Sequence, residues 1–446
     1  MPLATAAHVS APPLPPVMTG RGRDATVTRL AHLLLTRLTL VVAGGLTSVI
    51  VARALGPGDR GAYWVIVTIA TTATAAGNLS VEKSQTTLWA EEGNRPAVTA
   101  NALWLGLAAG TVAAVAAFAA VFLPGTAADR STVVWGLAAV PVMMAIVYVN
   151  NVHVLHARTG VVNRGSLAGA ALQCSALVAL GSLGRLTVEW VVIIWTVSAV
   201  TNLLLLLPPL PVRRPYDRRL VRRTLSCGLR YHPGSVCHFL LLRLDVLILN
   251  AMSTPAAVGI YSMAVTPAEL LRAMTDAVVQ ITLPRQMESS QETAAAYTAR
   301  TIRITVVLAT VSITLLYLAG PFLVIAATGP AFRGCVTPML VLAPGVAAAA
   351  AARPAAAYLL RLNLPIATSL MYGAALLVNL TLNILLIPRM GVAGCALAST
   401  VAYTALAATQ VIWFARSAGM PLRRLIPGAA EVHEITRRVR GLLRAD

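Results

Sequence analysis

Five ionisable side chains lie inside segments of this chain that are otherwise strongly apolar. Arg243 and Asp245 lie in one such segment, and Glu269, Arg272 and Asp276 lie in the next. The whole sequence is 57% hydrophobic and only 11% charged. An ionised side chain at the centre of a bilayer costs about 2.5–3.5 kcal/mol on insertion scales, so such groups usually face a protein interior or a wet cavity. These residues are therefore the first candidates for a binding site.

The spacing of these charges indicates two kinds of chemistry. Glu269, Arg272 and Asp276 are three and four residues apart, so one helix face presents all three. We therefore expect Arg272 within salt-bridge reach of Glu269 or Asp276 and at the border of a cavity. In one interpretation the two carboxylates neutralise Arg272 and the cluster only locks two helices together. In the other, Arg243 or Arg272 binds a phosphate group while a nearby carboxylate titrates or binds a cation.

The rest of the composition predicts a membrane protein built from helices. The mean hydropathy is +0.75, whereas a typical soluble domain carries about 25% charged residues. Apolar stretches of about 20 residues, enough to cross about 30 Å of hydrocarbon as helices, recur along the chain. We place twelve of them, at 30–52, 61–81, 97–122, 131–154, 161–183, 187–210, 228–250, 256–283, 302–328, 335–360, 365–388 and 391–415. The predicted fold class is an all-α polytopic membrane protein.

Basic residues are distributed unevenly between the two sides of the predicted membrane. With the amino terminus inside, 27 Lys and Arg fall on the inner side, counting those in the inner halves of spans, and 6 fall in outer loops, and Arg243 and Arg272 complete the 35. The positive-inside rule therefore predicts that both termini are cytoplasmic in the cell membrane. Because the charge follows the loops, the net charge of +19 indicates contact with anionic membrane lipids and not with nucleic acid. The abundance of Arg and Ala, with Lys83 as the single lysine, indicates a bacterial genome of high GC content.

A repeated loop motif divides the chain into two halves. Gly56-Pro57 followed by Gly61-Ala62-Tyr63 recurs 198 residues later as Pro255 followed by Gly259-Ile260-Tyr261. Both tyrosines suit an interfacial position. Six spans separate the copies, so both halves have one orientation, and an axis along the membrane normal should relate them. The predicted organisation is a disordered cytoplasmic leader (1–29), a six-helix lobe (30–210), a basic link (211–227), a second six-helix lobe (228–415) and a basic tail (416–446).

In the first half of the chain, small polar residues occupy the positions that correspond to the charged cluster by the same offset. Glu269, Arg272 and Asp276 correspond to Thr71, Thr74 and Asn78. This asymmetry is expected if one lobe holds the charged group of a ligand while the other mainly moves. Small polar residues that mediate helix packing in membranes would give the same pattern.

Four sequence blocks resemble those of a known transporter family. They are Ala52-Arg53-Ala54-Leu55-Gly56-Pro57 with Gly61-Ala62-Tyr63, Arg243-Leu244-Asp245-Val246-Leu247-Ile248-Leu249 with Gly259-Ile260-Tyr261, Leu283-Pro284, and Asn383-Ile384-Leu385-Leu386-Ile387-Pro388 with Gly391-Val392-Ala393-Gly394. Together they resemble the Wzx-type lipid-linked oligosaccharide flippases of the multidrug/oligosaccharidyl-lipid/polysaccharide exporter superfamily. The resemblance implies alternating access between two six-helix lobes and a glycan on polyprenyl pyrophosphate as substrate.

These observations predict a transporter and not an enzyme. The predicted substrate-binding residues are Arg37, Arg243 and Arg272, and the predicted coupling or charge-pairing residues are Asp245, Glu269 and Asp276. The sole lysine lies outside any Gly-Lys-Ser/Thr motif, so no P-loop exists. We predict no catalytic residues, cofactor or metal. The expected partners are a lipid-linked glycan, membrane lipids and polysaccharide assembly proteins. A cation-coupled multidrug exporter of the same fold and a non-transporting membrane scaffold remain the alternatives.

Overall fold

The computed structural model describes residues 20–122, 130–210, 216–268, 286, 290–362 and 364–428. The predicted cluster Glu269, Arg272 and Asp276 lies outside these ranges. Arg37 lies in a described helix, but its side chain is not described. Residues 20–29 of the predicted leader are helical, because the first helix begins well before its apolar stretch.

The described chain is helical apart from short turns, which confirms the predicted all-α class. Nine of its helices are long and apolar enough to cross a membrane. The helices are α1 (Gly20–Gly77), α2 (Val81–Trp89), α3 (Arg95–Phe122), α4 (Arg130–Leu155), α5 (Thr159–Ser182), α6 (Val188–Leu206), α7 (Arg218–Gly228), α8 (His232–Met252), α9 (255–268 of the described residues), α10 (Gln291–Thr328), α11 (Val336–Arg361) and α12 (Pro365–Ser417).

Two of these helices each contain two of the predicted spans. Helix α1 turns at Gly56, where φ is +70°, and α12 turns at Gly391, where φ is +55°. Glycine accepts this left-handed conformation without the steric cost that a Cβ would bring. Pro57 follows the first turn directly and suits the first position of a new helical segment. The two halves of α1 and of α12 and the other seven apolar helices therefore correspond to eleven of the twelve predicted spans, and α9 covers the described part of the remaining one, 256–283.

The helices form two lobes joined by α7. In the first lobe α3 packs on α4, and α6 packs on α4 and α5, whereas in the second α12 packs on α8 and α11. Each lobe has its own core of buried apolar side chains. Among the described residues, α1 contacts the second lobe at α8 and at the start of α9. We call the end of the molecule that carries α7 and the start of the tail the basic end, and the other end, at the Gly56 turn, the gated end.

Much of the predicted basic link is an amphipathic helix. Asp217 caps the start of α7 by accepting from the backbone N–H groups of Arg219 and Leu220 at 2.9 and 3.1 Å. Arg223 donates to both carboxylate oxygens of Glu91 on the first lobe, at 2.5 and 2.9 Å. This guanidinium holds the pKa of the exposed Glu91 carboxyl below its usual value. The link is thus fastened to the first lobe.

Candidate functional site

Asp245 anchors a buried polar cluster in the second lobe. Its side chain lies within α8 and is only 2% exposed. Carboxylate Oδ2 accepts hydrogen bonds from the Tyr261 hydroxyl of α9 and from Ser399 Oγ of α12, the second at 3.1 Å. Oδ1 accepts from the backbone N–H of Val246 at 2.9 Å. A carboxylate this deep needs such donors, because an ionised group without partners is very costly to bury.

Two asparagines of α12 extend the Asp245 cluster. The Asn379 amide nitrogen donates to Ser399 Oγ at 3.3 Å. Asn383, one turn further along, donates to Asn379 Oδ1 at 3.0 Å. Its own Oδ1 is buried and accepts no hydrogen bond. The cluster therefore joins a carboxylate, hydroxyls and amide oxygens, which are the oxygen ligands that hard cations prefer.

Arg243 lies on a different face of α8 from Asp245, at the wall of a small cavity. The cavity, of about 130 Å³, is bordered by both side chains, Tyr261 and Tyr403 and otherwise mainly by apolar residues. The Arg243 guanidinium lies 5.6 Å from the ring centroid of Trp64, which belongs to α1 in the other lobe. The Trp64 indole nitrogen is buried and finds no hydrogen-bond acceptor in the part of the chain that the structure describes. Arg243 thus lies where the two lobes meet, beside a second donor.

The repeated motifs meet each other at the gated end. A Cβ added to Gly61 would lie 1.7 Å from the carbonyl oxygen of Pro255, and one added to Gly259 would lie 1.9 Å from that of Pro57. The contact is reciprocal because the 198-residue offset relates Gly61 to Gly259 and Pro57 to Pro255. Only glycine permits so close an approach of two backbones. The lobes are therefore closed against each other at this end.

Two arginines cross the closed gate. Arg60 donates from Nε to Ser262 Oγ of the second lobe at 2.9 Å, and from Nη1 and Nη2 to the carbonyl and hydroxyl of Ser48 at 2.7 and 2.8 Å. Arg53 donates to the carbonyls of Ala326 and Ala327 near the end of α10, at 2.7 and 2.5 Å. The loop count placed both arginines in an outer loop, but Arg60 is only 1% exposed. The difference arises because Arg60 folds back along α1 to reach Ser48.

A second polar layer crosses the C-terminal lobe nearer the basic end. It contains His238 of α8, Arg353 of α11, and Tyr372 and Gln410 of α12. The rings of His238 and Tyr372 stack with centroids 4.5 Å apart, and Gln410 donates to the Tyr372 hydroxyl at 3.5 Å. The loop count placed Arg353 among the inner basic residues, yet it lies eight residues inside α11, about 12 Å along the helix. Its position inside a predicted span was the signal that could have identified it.

An apolar groove of about 760 Å³ runs along the first lobe beside the contact between lobes. Small and aliphatic residues of α3 and of the second half of α1, eight of them alanines, form most of its wall, together with Leu247 of α8 and Leu225 of α7. Leu247 lies one turn from Arg243, so the two share a face of α8. The lining of α3 extends from Leu105 to Val121, about 24 Å along a helix. The groove is therefore nearly as long as the bilayer hydrocarbon is thick.

Other residues singled out in the sequence have local partners. Thr71 and Thr74 donate to carbonyls of their own helix, at 2.7 and 2.9 Å, which favours the packing interpretation for them. Asn78 donates to Glu82 at 2.9 Å. Tyr63 and Tyr261 are buried and not interfacial. Each is instead packed into the core of its own lobe, Tyr63 in the first and Tyr261 in the second, because it lies two residues from the gate glycine and so faces away from the other lobe.

No family model and no curated protein matches this chain. Among solved structures, the inward-facing and the outward-facing conformations of a multidrug resistance MATE family transporter of the MOP superfamily are both similar to it. The first has a TM-score of 0.65 at 14% identity and covers 86% of this chain and 98% of its own. The second has the same score and identity and covers 88% and 95%.

A third neighbour differs in its site. It is a MOP superfamily transporter from Pyrococcus furiosus, with a binding pocket of reverse polarity that suggests a different function. It has a TM-score of 0.61 at 12% identity and covers 86% of this chain and 94% of its own. At these identities the likeness concerns the fold, which is that of MATE-type transporters.

Proposed function

We propose that this chain is a membrane flippase that carries a polyprenyl-pyrophosphate-linked glycan from the cytoplasmic to the outer leaflet by alternating access. The proposal starts from a fold of two six-helix lobes shared with MATE-type transporters. We assign the basic end to the cytoplasm by the positive-inside rule. The glycan is too polar to cross hydrocarbon unaided, so it needs a shielded path between the lobes.

One observation carries the choice of substrate: a guanidinium and a long apolar groove lie side by side at the contact between the lobes. Arg243 borders a cavity, and Leu247, one helical turn away, borders the groove. A ligand that uses both must carry an anionic group joined to a long hydrocarbon chain. Polyprenyl pyrophosphate has this form, and a guanidinium suits it because its N–H groups donate in pairs to phosphate oxygens.

The other predicted binding residues keep their proposed roles. We propose Arg272 and Arg37 as further phosphate ligands, and Glu269 and Asp276 as their charge partners. Asp245 is proposed as the coupling residue, because its cluster offers a carboxylate and a buried amide oxygen without a donor. Protonation of the carboxylate or entry of a cation would change the charge beside Arg243. This change would link the movement of the ion to the binding of the substrate.

A cation-coupled drug exporter is the second candidate, and the Asp245 cluster favours it too. A buried carboxylate could bind the coupling cation of such an exporter as well. The two candidates differ at Arg243, because a guanidinium at the cavity wall attracts an anion and repels a cationic drug. The reversed pocket polarity of the neighbour from Pyrococcus furiosus is a precedent for such divergence within one fold.

The test uses proteoliposomes that carry a fluorescent polyprenyl-pyrophosphate glycan. We expect the wild-type protein to expose the label in the opposite leaflet and Arg243→Ala to slow this by at least about tenfold, since a charge-assisted hydrogen bond contributes roughly 1.5–3 kcal/mol. Arg389→Ala is the matched control, because Arg389 donates only to a carbonyl of its own helix. Transport of a cationic drug, with no exposure of the glycan, would replace this proposal by the exporter.

A further inference from the structure

Two guanidinium groups lie over the same tryptophan ring. Arg60 lies 5.8 Å and Arg243 5.6 Å from the ring centroid of Trp64. Arg243 belongs to the second lobe, and Arg60 and Trp64 belong to the first. Each contact is attractive by itself, but two positive charges near one ring repel each other. The indole N–H of Trp64 has no acceptor among the described residues. Three groups that favour an anion therefore lie together at the contact between the lobes.

Arg60 is held in the closed gate by neutral partners alone. Its hydrogen bonds go to the Ser48 carbonyl, the Ser48 hydroxyl and the Ser262 hydroxyl, and within the described residues it forms no salt bridge. Burying a charge without a counter-charge is costly. A neutral side chain could close the gate at lower cost, so the positive charge indicates a second use.

We propose that Arg60 is a second anion-binding residue, hidden while the gated end is closed and presented to the cavity when that end opens. The inference rests on the proposed function, which supplies the diphosphate as ligand. Only the bond from Nε to Ser262 crosses between the lobes, whereas both Nη groups bind Ser48 within the same helix. Separation of the lobes therefore frees the Nε edge while Ser48 continues to hold the guanidinium in place.

The freed Nε–H of Arg60 would then join the Trp64 indole N–H as a donor, so that two donors from the first lobe are offered to one anion. The diphosphate would pass from Arg243 of the second lobe to Arg60 of the first as the gated end opens. The gate closes again only when Nε returns to Ser262, which requires the anion to leave. Release of the ligand and closure of the gate are thereby linked through one side chain.

The experiment opens the gate without altering Arg60. Gly259→Ala places a Cβ 1.9 Å from the Pro57 carbonyl oxygen, which the closed gate cannot accommodate. Calorimetry would measure the binding of inorganic pyrophosphate to the purified full-length chain. We expect Gly259→Ala to bind at least about tenfold more tightly than wild type, as expected for an added charge-assisted bond. Adding Arg60→Gln should remove this gain, whereas adding Arg389→Gln should preserve it.

Gly61→Ala opens the same gate from the other lobe and provides a second test should Gly259→Ala fold poorly. The inference is overturned if the gain survives Arg60→Gln, or if neither glycine variant binds more tightly although an added Ala52→Cys, at a position that is 1% exposed in the closed gate, has become reactive to maleimide. The proposed function is tested separately by Arg243→Gln with an intact gate. If that variant binds pyrophosphate as wild type does, Arg243 is not the phosphate ligand, whatever the result for Arg60.

Discussion

Replacing Asp245 separates its structural role from its proposed coupling role. Asp245→Ala removes the acceptor of the Tyr261 and Ser399 hydroxyls. A buried donor left without a partner costs about 1–3 kcal/mol. Two donors lose this acceptor, but the Tyr261 hydroxyl keeps an alternative in Ser399 Oγ at 3.5 Å. We therefore expect a cost near the lower end of the range for each donor, so that the free energy of unfolding falls by about 2 kcal/mol in total. Asp245→Asn keeps the shape of the side chain and one acceptor oxygen, and we expect its free energy of unfolding to fall by about half as much.

The two variants should differ in stability but agree in transport. Neither has a carboxylate at position 245, so both should flip at least about tenfold more slowly and lose the dependence of the rate on the cation gradient. Stability would be measured by equilibrium unfolding in mixed micelles, and transport in proteoliposomes. Thr400→Val is the matched control, because Thr400 is the neighbour of Ser399 but bonds to the Val341 carbonyl. Wild-type flipping with unchanged cation dependence in Asp245→Asn would refute the coupling role.

Three further predictions follow from other contacts. Arg53→Ala should loosen the gated end, since it removes the bonds to Ala326 and Ala327. The buried reporter Ala52→Cys should then react faster with a membrane-impermeant maleimide, and an unchanged rate would contradict this. Ala116→Phe should fill the apolar groove and slow the flipping of long-chain but not short-chain lipids, whereas Val115→Phe, on the exposed face of α3, should affect neither. The pKa of Glu91 is lowered by Arg223, so the stabilising coupling of this pair is present above the unfolded-state pKa, about 4.3, and is lost as the pH falls through the lower folded-state value. A double-mutant cycle with Glu91→Gln and Arg223→Gln should therefore show coupling at neutral pH and none in strong acid.

The positions of the helices were predictable because hydropathy and length are local properties of the sequence. The predicted span 131–154 corresponds to α4, Arg130–Leu155, and the turn predicted at 184–186 follows directly after α5. The helices that bend at Gly56 and Gly391 were each predicted as two separate helices. A glycine near a proline indicates a break and does not show whether helical hydrogen bonding continues around it.

The partners of the charged residues were not predictable from local pattern. Asp245 was a candidate because of its type and depth, but Ser399 lies 154 residues away in a helix of many small side chains. Whether Ser399 reaches Asp245 depends on how α12 packs on α8. Likewise, Arg60 read as a loop residue because it adjoins Pro57 and Gly58. Asn379 and Asn383, four residues apart in an apolar segment, were the one periodic signal that could have indicated this cluster.

The reciprocal glycine–proline contact makes the gated end equivalent to the interface of a symmetric dimer whose two subunits have been fused. In such an isologous contact, residue i touches j and its counterpart j touches i, as Gly61 and Gly259 do with Pro255 and Pro57. The side chains around it have diverged: the counterparts of Arg60 and Trp64 are Val258 and Ser262. A gate to which both halves contribute the same backbone contact can therefore open symmetrically, while the side chains of each half have specialised, one half carrying Arg60 and the other Ser262, which Arg60 releases.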